Sequence, residues 1–550
     1  MAIRVEPLRG QLARLPLAAI RPWHVLGALV LVQWACVLAF ALTVRHNGWL
    51  YYQGGDQIFH YSSAWLLANG SLPPALIAYQ WPAMLAPLAA VAGPSFLSAL
   101  PVIVLVNVVV LLPAALLAVY GIAARIGGRG LGLFAAALWV VFPWLGVAYA
   151  NPGYHQKFTE EFLPQAFGLT AMVDFPATVA LAIAAYFCVR ALETRNLADG
   201  ALSGLSAGIA IGLKASNFLF LPFPLLALLA ARRWRQAGAV AVGVAPSLLV
   251  LALWKERGLG QLPAFSAPAA QVALGATGVA VGGILTPLHK YVHLNWGHLY
   301  DNVLGIKEHF WSVRLVQWVP LAGLIAFLRR SVPLLLLVGG WFCAYFFVKG
   351  SYSYSSVEDG SFFRFLMPAY PAFLLLCATV VLLVPGALPR LQPVPARELS
   401  DRASLAAVIV ATLLFAIAPL AAVAAADPLR SSSPRAVTYI ENLTPVTSGF
   451  DLRIQRARDG SRLTWSSPAS KRATVFYVVF RSRRVDDTSC SASGGAATCA
   501  LKAVPIATTR HKTFVDRTRG RWTYRVGAAA NWLNDTGHGD VFLLSTPTRA

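Results

Sequence analysis

Charge is what this sequence has least of. Asp, Glu, Lys and Arg make up 12% of its 550 residues, about half the ~25% usual in soluble domains. Acidic residues are the scarcer sign, 23 against 45 basic. Several water-soluble domains in series would need more polar surface than that. Apolar residues make up 57% and the mean hydropathy is +0.61, so much of the chain faces lipid. No G-x-x-x-x-G-K-S/T and no G-x-G-x-x-G is present, so nothing proposes nucleotide binding or ATP-driven transport. No small-residue cleavage site follows the first apolar run, His24 to Val44, which reads as a retained first helix rather than a signal peptide. The net charge of +22 would by itself suit a nucleic-acid binder; its distribution argues otherwise.

Eleven apolar runs, most near the ~20 residues a bilayer requires, predict about eleven transmembrane helices. They cover 24–44, 98–123, 131–149, 175–189, 199–213, 217–231, 237–254, 313–328, 332–348, 365–384 and 404–426. Two more stretches read as surface-lying or re-entrant: 83–97, broken by Pro87 and Pro94, and the Ala/Gly-rich 262–288. With the N-terminus cytoplasmic, inner loops carry 16 basic and 5 acidic residues, and the longer outer segments before residue 427 carry 10 and 9. That is the inside bias of a membrane protein, and an odd span count puts the C-terminus outside. The remaining 19 basic and 9 acidic residues lie beyond 426. Half the excess is therefore ordinary topology, which removes the case for nucleic acid. The other half suits an anionic cell-surface polymer or lipid headgroups. Ala- and Arg-rich usage points to a high-GC bacterium, so the bilayer is read as its cell (inner) membrane.

Function is expected on the outer side, where the loops are long. The first reads GWLYYQGGDQIFHYSSAWLLANGSLP, in which Asp56 follows a Gly pair that permits a tight turn into a helix. Asp56 could serve there as a helix N-cap. Asp174, in MVDFPATV, could cap the fourth span with Pro176 in its first turn. Arg364, in FFRFLMPAYP, could be an interfacial anchor at a helix end. His289 and His293 have i, i+4 spacing and, with Asp301 or Glu308, imitate a metal site, but there is no H-E-x-x-H and their aromatic neighbours look interfacial.

These three motifs together resemble the GT-C superfamily of integral-membrane glycosyltransferases, nearest the protein O-mannosyltransferase and aminoarabinose-transferase group. The resemblance covers roughly residues 24 to 385. It rests on Asp56 with the following W-L-L-A-x-G-x-x-P, on Asp174 at the outer mouth of the fourth span, and on Arg364 with Pro368 and Pro371 at the outer start of a late span. LKASNFLFLPFPLLALL, from Leu213, has the family's look as well. One departure is that many relatives place a second carboxylate beside the first-loop Asp, whereas here the neighbours are Gly55 and Gln57. An acidic partner would have to be Asp174, Glu160 or Glu161. The departure weakens the case for a Mg or Mn ion, which needs several oxygen ligands.

The resemblance implies a polyprenyl-phosphate sugar as donor, an outer-face acceptor and inversion at the anomeric carbon. Asp56 is then the base, with Asp174 as a second catalytic carboxylate. Arg364, Lys214, His289 and Lys290 are the candidates for the donor phosphate, with His293 and Lys307 behind them. Glu160 and Glu161 read either as a solvated pair or as acceptor contacts. Two other functions compete: a transporter or flippase for lipid-linked saccharides, which would place its ionisable residues near the bilayer midplane, and a non-catalytic membrane scaffold.

The chain is expected to divide into 1–426, a linker at 427–440, and an extracytoplasmic all-β sandwich at 441–550, where the hydrophobic period changes from helix to strand. Trp465, Tyr477-x-Val479-x-Arg481, Phe514-x-Asp516 and Tyr524-x-Val526 resemble fibronectin type III strands B, C, E and F. Cys490 and Cys499 flank a Gly/Ser/Ala loop and could close a small disulfide outside the cell. Cys36, Cys188, Cys343 and Cys377 fall within predicted spans.

Overall fold

A computed structural model describes residues 21–43, 56–94, 96–259, 294–310, 313–358, 360–384, 392–395, 401–430, 435, 446–457, 460–466, 475–485, 488–493, 496–501, 503–530 and 541–550. The helices are α1 (Pro22–Thr43), α2 (Asp56–Ala68), α3 (Gln80–Ala92), α4 (Ser98–Gly127), α5 (Arg129–Tyr149), α6 (152–166), α7 (Asp174–Thr194), α8 (Leu197–Leu213), α9 (Ala215–Ala230), α10 (Trp234–Leu259), α11 (Trp296–His309), α12 (Val313–Arg330), α13 (Val332–Lys349), α14 (Ser361–Leu383) and α15 (Arg402–Ala425). Among the described residues eight of them, α1, α4, α5, α7, α10, α13, α14 and α15, are long and apolar enough to cross a membrane. The chain is a multi-pass helical membrane protein. The other three apolar runs are helical too, as α8, α9 and α12. The broken stretch at 83–97 holds most of α3, a 13-residue helix with Pro87 inside it, too short to span at 1.5 Å per residue. The 262–288 stretch lies outside the described residues.

The bundle has two chemically different ends. At one, Arg330 Nε donates to Ile126 O (3.1 Å), Arg125 pairs with Glu193 (3.7 Å), and Arg233 Nη2 donates to Leu192 O (3.1 Å). The turn between α7 and α8 is pinned here by a buried ion pair: Arg190 Nε donates to Asp199 Oδ1 (2.8 Å) and Thr194 Oγ1 to Asp199 Oδ2 (2.7 Å). Because α7 and α8 form a hairpin, their far ends deliver Asp174 and Lys214 side by side at the opposite end of the bundle.

Glycines at 200, 204, 208 and 212 set the position of α8. They recur every fourth residue along one side of the helix; Gly200, Gly204 and Gly208 let α8 meet α10 with backbones nearly in contact, and Gly212 lies against Tyr79 and Gln80 at the start of α3. A Cβ on Gly204 would stand 2.1 Å from Val240 O, and one on Gly208 would stand 2.6 Å from Ser247 Oγ. At Gly204 the new methyl would run into backbone, which has nowhere to yield.

Beyond α15, β2 (Asp427–Pro428) pairs in parallel with β1 (Ser71–Leu72), so the chain leaves the bundle fastened to the segment that follows α2. The rest forms two sheets. In one, β4 (Arg453–Ala457), β5 (Gly460–Thr464) and β10 (Thr513–Asp516) run antiparallel in the order β10-β5-β4. In the other, β9 (Val504–Thr509), β6 (Val475–Ser482), β11 (Thr523–Ala530) and β12 (Val541–Ser545) run antiparallel in that order. To this sheet β3 (Val446–Thr447) adds beside β12 and β13 (Thr548–Arg549) beside β11. Leu463, Trp465, Tyr477, Val479, Tyr524 and Val526 are buried, with the Trp465 and Tyr477 rings 5.5 Å apart. Asp516 on the first sheet accepts from Arg481 (2.9 Å) and Tyr524 (2.8 Å) on the second, which ties the two together. The hairpin of β7 (Thr488–Ser493) and β8 (Ala496–Leu501) sets Cys490 directly opposite Cys499 in register; the side chains of both lie outside the described residues.

The α8–α10 contact gives a controlled test of packing. Gly204→Ala should cost roughly 1–3 kcal/mol by overpacking, read as a lower midpoint of thermal unfolding in detergent. Gly238→Ala, on α10 with open space around the new methyl, should leave it unchanged. Equal midpoints for both variants would refute the close approach.

Candidate active site

At the other end of the bundle four charged side chains from distant parts of the sequence form one chain of contacts. Asp56 is the first residue of α2, Asp174 the first of α7, Lys214 follows the last residue of α8, and Arg364 lies in the first turn of α14. Arg364 Nη2 pairs with Asp56 Oδ2, and its Nε donates to Asp174 Oδ2 at 3.0 Å. Lys214 Nζ pairs with Asp174 Oδ1. One guanidinium thus bridges two carboxylates, which its planar fork allows and an ammonium group would not do as well.

The carboxylates are not equivalent. Asp174 has a fully buried side chain, with one oxygen on Lys214 and the other on Arg364. Its carboxylate is therefore engaged by cations across the bundle, a different task from capping its own helix. The Asp56 side chain is 46% exposed, and among the described residues its Oδ1 has no hydrogen-bond partner. Burial of its surroundings works against the charge, but the Arg364 guanidinium outweighs that and holds the carboxyl below its ordinary range. Arg364 is only 21% exposed, so it serves these carboxylates rather than anchoring a helix end in headgroups.

A third basic group joins them. Phe365 has Lys214 Nζ 5.0 Å, Lys349 Nζ 5.8 Å and Arg364 Cζ 5.9 Å from its ring centroid, and Lys349 also lies 5.0 Å from the Tyr352 ring. Three basic side chains and two carboxylates therefore meet around one aromatic ring. His60, one helical turn after Asp56, is 3% exposed. Burial drives its imidazole to the neutral form and takes its pKa down to about 4, against the pull of Asp56 and Asp174.

Polar side chains in the surrounding packing fix this geometry. The segment entering α7 is held by Gln57 Oε1, which accepts from Ala171 N (2.8 Å), by Trp81 Nε1 donating to Ala171 O (3.0 Å), and by the buried Asn107, which donates to Gly168 O and Thr170 O. The turn carrying Lys214 is held by Asn217, which donates to Ala210 O (2.8 Å) and accepts from the Tyr345 hydroxyl (2.8 Å). The loop before α14 folds around buried Asn302. Its amide donates to Gly350 O (2.9 Å) and Ser355 O (2.8 Å), and its carbonyl accepts from Val357 N (3.0 Å).

Of the residues singled out in the sequence, Asp56, Asp174, Lys214 and Arg364 come together. Glu160 and Glu161 lie on α6, where Gln156 Nε2 donates to Glu160 Oε2 (3.2 Å) and Glu161 abuts Gly360 at the start of α14. His289, Lys290 and His293 lie outside the described residues, and Lys307 is in the last turn of α11. His60, Lys349 and the buried Asn302 were not anticipated. A signal for His60 was present, since i, i+4 spacing from Asp56 puts both on one helix face. Among the described residues no three His, Cys, Asp or Glu side chains gather as a metal site would need. At Asp56 and Asp174 three of the four carboxylate oxygens already carry Arg364 or Lys214, a donor set that suits paired cations better than a divalent ion.

Comparison with protein families found no matching family model, and no curated protein matches the chain. Among solved structures the chain is similar to the Archaeoglobus fulgidus oligosaccharyltransferase in its apo form, at 13% identity and a TM-score of 0.37. It is similar also to the archaeal oligosaccharyltransferase AglB from Archaeoglobus fulgidus in complex with an inhibitory peptide and a dolichol-phosphate, at 13% identity and a TM-score of 0.36. Each match covers 76% of this chain and 60% of the other.

The His60 environment predicts an NMR titration of its imidazole with a midpoint near 4, so that it stays neutral from pH 5 upward. A midpoint at or above the ordinary value of 6.5 would contradict the burial described.

Proposed function

We propose that the protein is a glycosyltransferase of a bacterial cell membrane, moving a sugar from a polyprenyl-phosphate donor to an acceptor on the outer face with inversion at the anomeric carbon. The observation that carries this reading is Asp56: a half-exposed carboxylate with one oxygen unpartnered among the described residues, linked through Arg364 to a group of cations at helix mouths. In a single displacement the acceptor hydroxyl or amine gives its proton to Asp56 Oδ1 while its oxygen or nitrogen forms the new bond to the anomeric carbon. The bond from that carbon to the phosphate oxygen breaks, and the lipid phosphate leaves with the extra negative charge. Arg364, Lys214 and Lys349 stabilise that charge as it develops, which is where fixed cations in a poorly solvated site act most strongly. Asp174 positions Arg364 and Lys214 and takes no proton itself. A phosphate arriving at Arg364 competes with Asp56 for the guanidinium, and the loosened carboxylate becomes a stronger base as the donor binds.

In this reading the N-terminus is cytoplasmic and the site extracytoplasmic, on the same side as the β-domain, since α15 ends beside it. The β-domain is read as fibronectin type III-like, which the two-sheet order supports. The 19 basic against 9 acidic residues beyond 426, with Arg481 and Arg483 packed over the Trp522 ring at 4.6 and 5.4 Å, suit an anionic cell-surface polymer. His289, Lys290, Glu160 and Glu161 remain candidates for the donor phosphate and the acceptor.

Asp56→Asn in full-length protein reconstituted in lipid should lower turnover of a polyprenyl-phosphate sugar by roughly 10²–10⁴-fold, the usual contribution of a general base, with the unfolding midpoint little changed. Full turnover by this variant would sink the assignment. Arg364→Ala should lower kcat and weaken donor use; unchanged donor KM and kcat would remove it from the phosphate site.

A further inference from the structure

Beside the charged groups the structure buries three polar side chains that the charge network leaves largely unused. Gln57 and His60 lie on α2, one and four residues after Asp56, and Gln80 opens α3. Their exposures are 0%, 3% and 0%. Gln57 spends its carbonyl on Ala171 N, but among the described residues its Nε2 has no hydrogen-bond partner; nor does His60 Nδ1, nor either Oε1 or Nε2 of Gln80.

The three share one neighbourhood. Gln57 and Trp81, the residue after Gln80, both bond Ala171, three residues before Asp174. The Gln80 Cβ lies against Gly212, at 3.0 Å from where a Cβ there would stand, two residues before Lys214. His60 is within electrostatic reach of Asp56, Asp174, Arg364 and Lys214 alike. Among the described residues, four unpartnered polar atoms therefore belong to side chains of α2 and α3 that adjoin the segments carrying Asp56, Asp174 and Lys214.

Burying such atoms without a partner is unfavourable, and a leucine at these positions would pack two helices at no such cost. Their chemistry suits a neutral ligand rich in groups that both donate and accept. An amide offers both, and so does an imidazole across its two nitrogens, which matches sugar hydroxyls. In a lipid-phosphate sugar the ring is one bond from the phosphate, so hydroxyl-binding groups next to the phosphate cations meet the donor's sugar first.

We infer that Gln57, His60 and Gln80 form the subsite for the sugar ring of the donor and set which sugar is transferred. This rests on the glycosyltransferase reading above and adds to it the residues that determine specificity. Because a site built to bond hydroxyls leaves its own polar groups unpaired when the wrong sugar binds, discrimination there is strong.

The test uses full-length protein in lipid nanodiscs with polyprenyl-phosphate mannose, glucose and galactose, and polyprenyl phosphate without sugar. Gln80→Leu is the informative variant, since the Gln80 side chain makes no intraprotein hydrogen bond to lose; Gln80→Met serves if the branched side chain does not fit. The wild type should bind one sugar-bearing lipid more tightly than the sugar-free lipid. Gln80→Leu should erase that difference, lower kcat/KM for the preferred sugar by roughly tenfold or more, and leave both the sugar-free lipid's affinity and the unfolding midpoint undiminished. Unchanged sugar preference in the variant, or an equal loss of affinity for the sugar-free lipid, would overturn the subsite. A wild type that shows the binding difference but transfers none of the sugars would overturn the transferase reading and leave the subsite standing. A wild type with no binding difference would overturn the subsite whatever its turnover.

Discussion

Arg364 between Asp56 and Asp174 is the interaction on which the rest depends. Charges taken out of water are costly singly and become tolerable only when paired with good geometry. Asp174 is the group whose removal is most costly, since its loss would leave both Lys214 and Arg364 without their buried counter-charge, whereas Asp56 is half exposed and Arg364 would keep Asp174 without it. The arrangement spans α2, α7, α8 and α14, so it exists only once the bundle has closed. Asn302, Asn107, Gln57 and Asn217 all hold backbone segments that lead into it. Their hydrogen bonds are spent on positioning irregular backbone, which an apolar interior otherwise excludes.

The same bridge separates two residues of one chemical type. Asp174 is enclosed and has a cation on each oxygen, so it can orient partners but has no route to an incoming molecule. Among the described residues Asp56 shares only one oxygen, and its side chain is the half-exposed one. Environment, rather than residue identity, divides the work between them, as it does wherever two carboxylates at one site have different surroundings.

Much of this was legible in the sequence because topology alone constrains it. All eleven apolar runs are helices, and Asp56, Asp174, Lys214 and Arg364 stood out as charges at the outer mouths of helices, where the alternation of spans puts them on one side. What hydropathy cannot give is which mouths are neighbours. Asp174 carried an equally good local explanation as a helix cap, and only the meeting of α7 with α8 and α14 shows its carboxylate engaged elsewhere. His60 and Lys349 were hidden for different reasons. His60 needs the start of α2 fixed before its spacing from Asp56 has meaning, and Lys349 reads as the ordinary polar end of an apolar run. The glycines at 200, 204, 208 and 212 form a four-residue repeat in the sequence, yet the consequence of the first three depends on α10 being the partner and that of Gly212 on α3. Asn302 could not have been read at all, since its three bonds go to a loop some fifty residues away.

Placement along the helices bears on what such a cluster can do. A pathway through the bilayer calls for ionisable groups partway along the spans, facing a cavity near the midplane. Here Asp174 begins its helix, Lys214 follows the end of one, Lys349 ends another and Arg364 is in a first turn. All of the charges therefore lie at one level, at the end of the bundle where apolar helices give way to loops. A lipid phosphate lies at the level where the apolar interior of a bilayer ends, so the proposed donor would reach these cations by lateral movement with its hydrocarbon still in the membrane. In the proposed reaction the acceptor would meet Asp56 from the aqueous side, because that carboxylate is the more exposed one. On the proposed function one boundary would thus bring together two substrates of opposite solubility, and the bridge through Arg364 would couple the group assigned to the phosphate to the group assigned to the acceptor.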